Sequence, residues 1–240
     1  MLEPAGRVVA LSGASRGLGA AIARRLHGEG YALALGVRDP KASATRLALQ
    51  GGAAVTFHRF DATNPADAPA WIEAAVAAHG RLDALVNNAG ILRPVTFDNP
   101  NEAALDAMWE VNVKAPFRTI RAALPHLRAA GHGRVVNIAS TDGKRIRDVS
   151  VSIGYAMSKH ALVALTHAAR FAGHEAGVRA TALCPGAIDT ELLAGIPGVT
   201  PGPGRLQPDT VAEIVSLLLR LPDQAHVAEM IVNTRLESTL

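Results

Sequence analysis

In the segment "YAMSKHALVALTHAARF", Tyr155 and Lys159 stand four apart within a helical apolar pattern, which sets both side chains on one face. A free phenol titrates near pH 10, too high for ready proton exchange at neutral pH. An ammonium about 4 Å away, at an effective dielectric of 20, favours the phenolate by roughly 4 kcal/mol, or about three pKa units, before burial takes part of it back. The pair is therefore a candidate acid/base, against the alternative of a buried tyrosine beside a surface lysine. Tyr31, the other tyrosine, has no lysine at that spacing. Ser140 closes the apolar run "GRVVNIAS" and so brings a hydroxyl to a strand's C-terminal end, where open parallel sheets bind ligands. Its alternative use is to cap local backbone.

A second constellation lies in "RVVALSGASRGLGAAIARRL", where an apolar run enters a cluster of three glycines, Gly13, Gly17 and Gly19, and leaves as an amphipathic helix. The spacing departs from G-x-G-x-x-G, but the strand–turn–helix context matches a phosphate-binding turn. Glycine permits positive φ and close approach of a phosphate, and the first helical N–H groups supply donors. A plain turn tightened for packing would use glycine in the same way.

The elements that must position these residues are legible as short apolar runs alternating with helix-length segments. "RVVALS", "YALALGV", "AAVTFHRF", "LDALVNNA", "GRVVNIAS", "VRATALC" and "AEMIVN" read as strands. In "DAPAWIEAAVAAHG", Trp71, Ile72, Ala75 and Val76 share a helical face that Gly80 can end. Runs apolar on both faces and separated by helices predict an α/β fold, a single doubly wound domain over 1–240 with about seven parallel strands and helices on both faces. The Pro/Gly-rich "GIPGVTPGPGRLQP" reads as a flap over about 190–207, with Leu192, Leu193 and Ile196 available to cover a reactive centre.

Composition narrows the classes further. The chain has 240 residues, a formal charge of +3 and no dense basic run, which disfavours nucleic acid, while an anionic small ligand would be welcome. A lone cysteine, Cys184, excludes an internal disulfide framework and a cysteine-rich zinc site, and it reads as a small buried residue. No apolar stretch reaches bilayer length and "MLEPAGRVVAL" does not read as a signal peptide, so a cytoplasmic protein without membrane contact is expected. His160, His167 and His174 recur every seven residues, about 10.5 Å apart along a helix, too far to share one metal ion. They read as a polar face or a subunit contact, and no metal site is expected. Lys144, Arg145, Arg147 and Arg93 read as solvated loop charges or as a basic rim around a substrate mouth.

"SGASRGLG", "NNAG", "VNVKAP", "NIAS", "YAMSK" and "CPGAIDT", in this order and approximate spacing, resemble the short-chain dehydrogenase/reductase family from Arg7 to about Val232. The resemblance implies a Rossmann sheet and reversible hydride transfer between a nicotinamide cofactor and a carbonyl or secondary alcohol. By the same resemblance Tyr155 is the acid/base, Lys159 also holds the nicotinamide ribose, and Ser140 bonds the substrate oxygen. Asn112 offers its main-chain carbonyl to a proton-relaying water. Pro116, four residues on, has no N–H to occupy that carbonyl in a continuous helix. The implied cofactor set is Gly13, Ser15, Arg16, Gly17, Leu18, Gly19, Arg38, Asp61, Ala62, Asn88, Ala89, Gly90, Tyr155, Lys159, Pro185, Gly186, Ile188 and Thr190, with Asp61 at the adenine. Ser140 and Tyr155 are fifteen apart where thirteen is common in the family, which suggests a two-residue extension in "TDGKRIRDVSVSIG".

The second strand is expected to end at Val37, where an NAD-specific pocket usually carries an acid. Arg38 follows, and with Arg16 it is expected to bracket a 2′-phosphate, giving NADP(H) over NAD(H). The resemblance further implies a homodimer or homotetramer. The competing class is a non-catalytic NADP(H)-binding regulator on the same scaffold, which a missing serine, tyrosine or lysine would betray. All three are present.

Overall fold

The computed structural model describes residues 1–192, 202 and 204–234. Seven parallel strands form one sheet in the order β3-β2-β1-β4-β5-β6-β7. They are β1 Val8–Ser12, β2 Ala32–Val37, β3 Val55–Arg59, β4 Ala84–Asn87, β5 Arg134–Ile138, β6 Arg179–Pro185 and β7 Glu229–Val232. Six fall within the runs read from the sequence, and β6 runs one residue past its run, to Pro185. Order reverses between β1 and β4, which opens a crevice at the strands' C-terminal ends.

Alternation within β1 shows how the sheet joins two layers. Val9 and Leu11 enter a core with α1 (Gly17–Gly28) and α7 (Pro208–Arg220), while Val8 and Ala10 enter one with α3 (Asp67–His79) and α5 (Ala115–Ala129). Trp71, Ile72 and Ala75 of α3 are buried as expected, and Gly80 ends that helix at φ 76°. Helix α2 (Pro40–Leu47) follows β2, and α4 (Glu102–Trp109) runs into a π-helical turn at Glu110–Lys114 before α5.

Helix α6 (Ile153–Gly173) carries the acid/base pair and is tied to the sheet by buried amides and hydroxyls. Thr119 Oγ1 donates to Asn87 Oδ1 (2.7 Å), Asn87 Nδ2 to Asn137 Oδ1 (2.9 Å), and Asn137 Nδ2 to Thr166 Oγ1 (2.8 Å) on α6. At its start, Ser152 accepts from the Tyr155 N–H and donates to the Arg93 carbonyl (2.6 Å), which fixes the first turn against the loop after β4.

Candidate active site

The glycine turn lies between β1 and α1, with Gly13 at φ 68° and Gly17 at φ 52°. A Cβ on Gly13 would come within 3.0 Å of Ala89 Cα, and one on Gly19 within 2.2 Å of the Gly13 carbonyl oxygen. The turn is stitched to the end of β4: Asn88 Nδ2 donates to the Ser12 and Gly13 carbonyls, and the Asn88 and Ala89 N–H groups both donate to Ser12 Oγ. The result is a tight cradle with the first turn of α1 facing outward, a fit for a dinucleotide's phosphates. A cleft of about 670 Å³ runs from it to the acid/base pair. Every residue expected to hold the cofactor lines that one cleft.

Ser140, Tyr155 and Lys159 meet at its inner end. Ser140 follows β5 and accepts from the Asp142 N–H (3.1 Å). Lys159 Nζ lies 5.5 Å from the centre of the Tyr155 ring and donates to the Ile138 carbonyl (2.7 Å). Burial lowers the Lys159 ammonium to about 8, since water no longer solvates its charge. Burial also pushes the Tyr155 phenol well above its ordinary value, with the Asp142 carboxylate acting in the same direction and the Ser140 hydroxyl against it. The expected depression of the phenol by Lys159 is therefore corrected: in the protein alone, burial and the Asp142 carboxylate set the direction and Tyr155 keeps its proton at neutral pH.

Asn112 is 1% exposed and lies behind the cleft wall. Its side chain is fully used: Oδ1 accepts from the Ile91 N–H, and Nδ2 donates to the Ile91 carbonyl and to Ser158 Oγ. The backbone around it is not the continuous α-helix assumed for the Pro116 argument. The Ala115 N–H bonds the Glu110 carbonyl five residues back, so a π turn as well as Pro116 sets the local backbone pattern.

At the other end, β2 stops at Val37 and Arg38 follows into the cleft. Asp39, the next acid, accepts from the Ala42 N–H (3.0 Å) as the N-cap of α2. Arg16 pairs with Glu191 (2.9 Å), both more than half exposed. Asp61 accepts from Thr63 N and Oγ1 (2.9 and 2.7 Å), bonds that hold its carboxyl below the usual range.

Of the loop basics, Lys144 pairs with Glu229 (2.5 Å) and Arg147 with Asp148 (2.8 Å), whereas Arg93 lines the cleft. The histidine stripe is partly spent on contacts within the chain: His167 Nε2 bonds Glu229 (2.7 Å) and His160 Nδ1 the Ala156 carbonyl (2.9 Å). Cys184 is fully buried, its thiol pushed up to about 11 by burial. Most of the expected flap, residues 193–201 and 203, lies outside the described residues. Its base is held where the Asp189 N–H donates to the Leu206 carbonyl and the Leu206 N–H to Ala187. Sequence reasoning passed over Asp142, which lines the cleft two residues beyond Ser140. A carboxylate so close to a strand-end serine was the available signal.

This sheet, glycine cradle and serine–tyrosine–lysine cluster define a nucleotide-binding α/β protein. The short chain dehydrogenase family model matches residues 7–197, and the chain belongs to that family. It is 37% identical over 221 residues to the agropine synthesis reductase of Rhizobium rhizogenes, covering 92% of this chain but 50% of that one. The chain thus spans half the length of that relative. An alcohol dehydrogenase from Thermococcus sibiricus, solved with 5-hydroxy-NADP, superposes with a TM-score of 0.83 at 33% identity, over 94% of this chain and 95% of that chain. A metagenomic short-chain oxidoreductase, solved with NADP, gives 0.80 at 32% identity over 98% and 100%. No helix among the described residues is long and apolar enough to cross a membrane.

Proposed function

We propose that the protein is an NADP(H)-dependent oxidoreductase that interconverts a carbonyl and a secondary alcohol. The observation that carries the reading is the convergence of Ser140, Tyr155 and Lys159 at the inner end of a cleft whose outer end is a glycine cradle. When bound, the nicotinamide ring supplies or accepts the hydride. The chain's own residues bind the substrate oxygen and handle the proton. Ser140 Oγ accepts from its own turn and keeps its proton to donate to that oxygen. Tyr155, holding its proton at neutral pH, delivers it to the oxygen as the alcohol forms and takes it back in the reverse direction. Lys159 spends one donor on Ile138 and retains two for the ribose hydroxyls. Asn112, locked by Ile91 and Ser158, positions the backbone where a relay water would sit.

The preference for NADP(H) is supported by Arg16 and Arg38 on the same cleft, by the valine that ends β2 and by the engagement of Asp39 as a helix cap. The Arg16–Glu191 pair is exposed, so exchanging Glu191 for a phosphate costs little. Two solved relatives carry NADP or a derivative. Exposed Phe117, Met157 and Phe171 on α5 and α6 support self-association through that face, which light scattering would read directly.

Tyr155→Phe keeps the ring and removes the proton, so turnover should fall at least a thousandfold while NADPH binding changes by less than about threefold. Turnover near wild type would overturn the acid/base assignment. A wild type that binds NADPH but turns over no ketone or alcohol would favour the regulatory reading. Arg16→Ala and Arg38→Ala should each weaken NADPH about tenfold and NADH hardly at all, as each removes a charge-assisted contact of roughly 1.5 kcal/mol. Equal losses for both cofactors would exclude a 2′-phosphate contact.

A further inference from the structure

Asp142 is a cleft-lining carboxylate to which the acid/base chemistry assigns no task. It sits in the short turn Thr141–Gly143, which Ser140 caps and which presses on α6. A Cβ on Gly143 would come within 2.9 Å of the Lys159 backbone, so the turn cannot withdraw from the acid/base pair without losing that contact. The Asp142 N–H reaches Ser140 Oγ at 3.1 Å, which anchors its backbone beside the atom that binds the reacting oxygen. Yet its carboxylate makes no hydrogen bond or ion pair among the described residues. The charged groups facing it are Arg145, Arg147 and Asp148 of its own loop and His160 of α6. Arg147 is held by Asp148 and His160 by the Ala156 carbonyl.

A part-buried carboxylate that meets water rather than a protein donor loses that water when a ligand fills the cleft, and a ligand donor offsets the loss. A site built around such an acceptor discriminates strongly against substrates that lack the donor. A carboxylate accepts, so the matching ligand group is a donor, and the simplest donor carried beside a reacting carbonyl is a hydroxyl. We infer that Asp142 selects substrates bearing a hydroxyl on the carbon next to the reacting one, that is, α-hydroxy ketones in reduction and vicinal diols in oxidation. This rests on the carbonyl–alcohol chemistry proposed above and names its substrate class.

The test compares 1-hydroxy-2-butanone with 1-methoxy-2-butanone and 2-butanone, using the full chain and whichever of NADPH or NADH it binds. The methyl ether keeps the hydroxyl's electron withdrawal but cannot donate. The wild type should prefer the hydroxy ketone over both others by at least tenfold in kcat/KM. That ratio should collapse toward one in Asp142→Ala and fall part way in Asp142→Asn, with cofactor fluorescence titration checking that each variant is folded. Equal kcat/KM for the three ketones in the wild type, or a preference that survives in Asp142→Ala, overturns the role of Asp142 and leaves the carbonyl-reductase reading intact. If no ketone oxidises the reduced cofactor and no diol or simple alcohol reduces the oxidised one, the reading beneath it fails as well.

Discussion

At Lys159 a charge is kept where little water reaches it: the residue is 4% exposed, and burial drives its pKa from 10.5 to about 8. Keeping it protonated at pH 7 costs about 3 kcal/mol, at about 1.4 kcal/mol per pKa unit. Lys159→Met should therefore stabilise the protein at pH 7 while destroying activity. The Ile138 carbonyl loses its partner and returns about 1 kcal/mol of that gain. A net 2 kcal/mol corresponds to a rise in Tm of about 4–8 °C for a chain of this size. The sign with pH follows from proton counts. Between pH 8 and 10.5 the unfolded chain holds a proton that the folded wild type has shed, so wild-type stability rises with pH there and the variant's advantage shrinks. Calorimetry at pH 7 and 9.5 reads both values, and an advantage that grows with pH would contradict a buried charge. The spacing of Tyr155 and Lys159 was legible in the sequence, whereas the direction of the tyrosine's shift was not. Spacing reports which groups are near each other, and desolvation depends on everything packed around them.

Strands and most helices are readable because a parallel strand covered on both faces must be apolar throughout, as in "VVALS", where all five residues are buried. The π turn at Glu110–Lys114 and the turn at Thr141–Gly143 are harder, since tertiary partners decide them: Ile91 holds Asn112, and α6 backs Gly143. The amide relay through Asn87 and Asn137 is likewise invisible as a pattern, though it sets α6 against the sheet. Thr166 ends that relay, accepting from Asn137 and donating to the Leu162 carbonyl (2.7 Å). Thr166→Val keeps the shape and leaves the buried Asn137 Nδ2 without an acceptor, which costs about 1–3 kcal/mol. Thermal unfolding should move down by about 3–9 °C. Turnover should fall more than cofactor affinity, because α6 holds Tyr155 and Lys159 while the glycine turn belongs to β1 and α1. A variant as stable as wild type would show that Asn137 repacks freely.

On the scale of the molecule, part of the basic charge that suggested an anionic ligand is structural: three arginines stand at the pole opposite the cleft. Arg7 precedes β1, while Arg134 and Arg179 open β5 and β6. All three donate to the segment that closes α7: Arg7 to the Leu219 carbonyl (2.9 Å), Arg134 to Leu221 (2.7 Å) and Arg179 to Asp223 (3.0 Å). Cations at a helix C-terminus meet its unpaired carbonyls and the negative end of its dipole. Among the described residues only Asp223 answers the Arg134 charge with a carboxylate, at 2.8 Å, and Arg134 is 2% exposed. Burial pulls the Arg134 pKa down and Asp223 holds it up. Asp223→Ala would leave that guanidinium with carbonyl partners and no counter-charge, at a cost of about 2–4 kcal/mol. For a chain of this size the Tm should fall by roughly 5–10 °C or more. Arg134 and Ser140 are six residues apart along β5 and its extension, about 20 Å at 3.3 Å per residue, so the cleft should not register the change. At 25 °C, kcat/KM and cofactor affinity should stay within twofold of wild type, and Asp223→Asn, which still accepts a hydrogen bond, should fall between the two in Tm. A kinetic defect in Asp223→Ala below its melting range would mean that the two poles of the sheet are coupled.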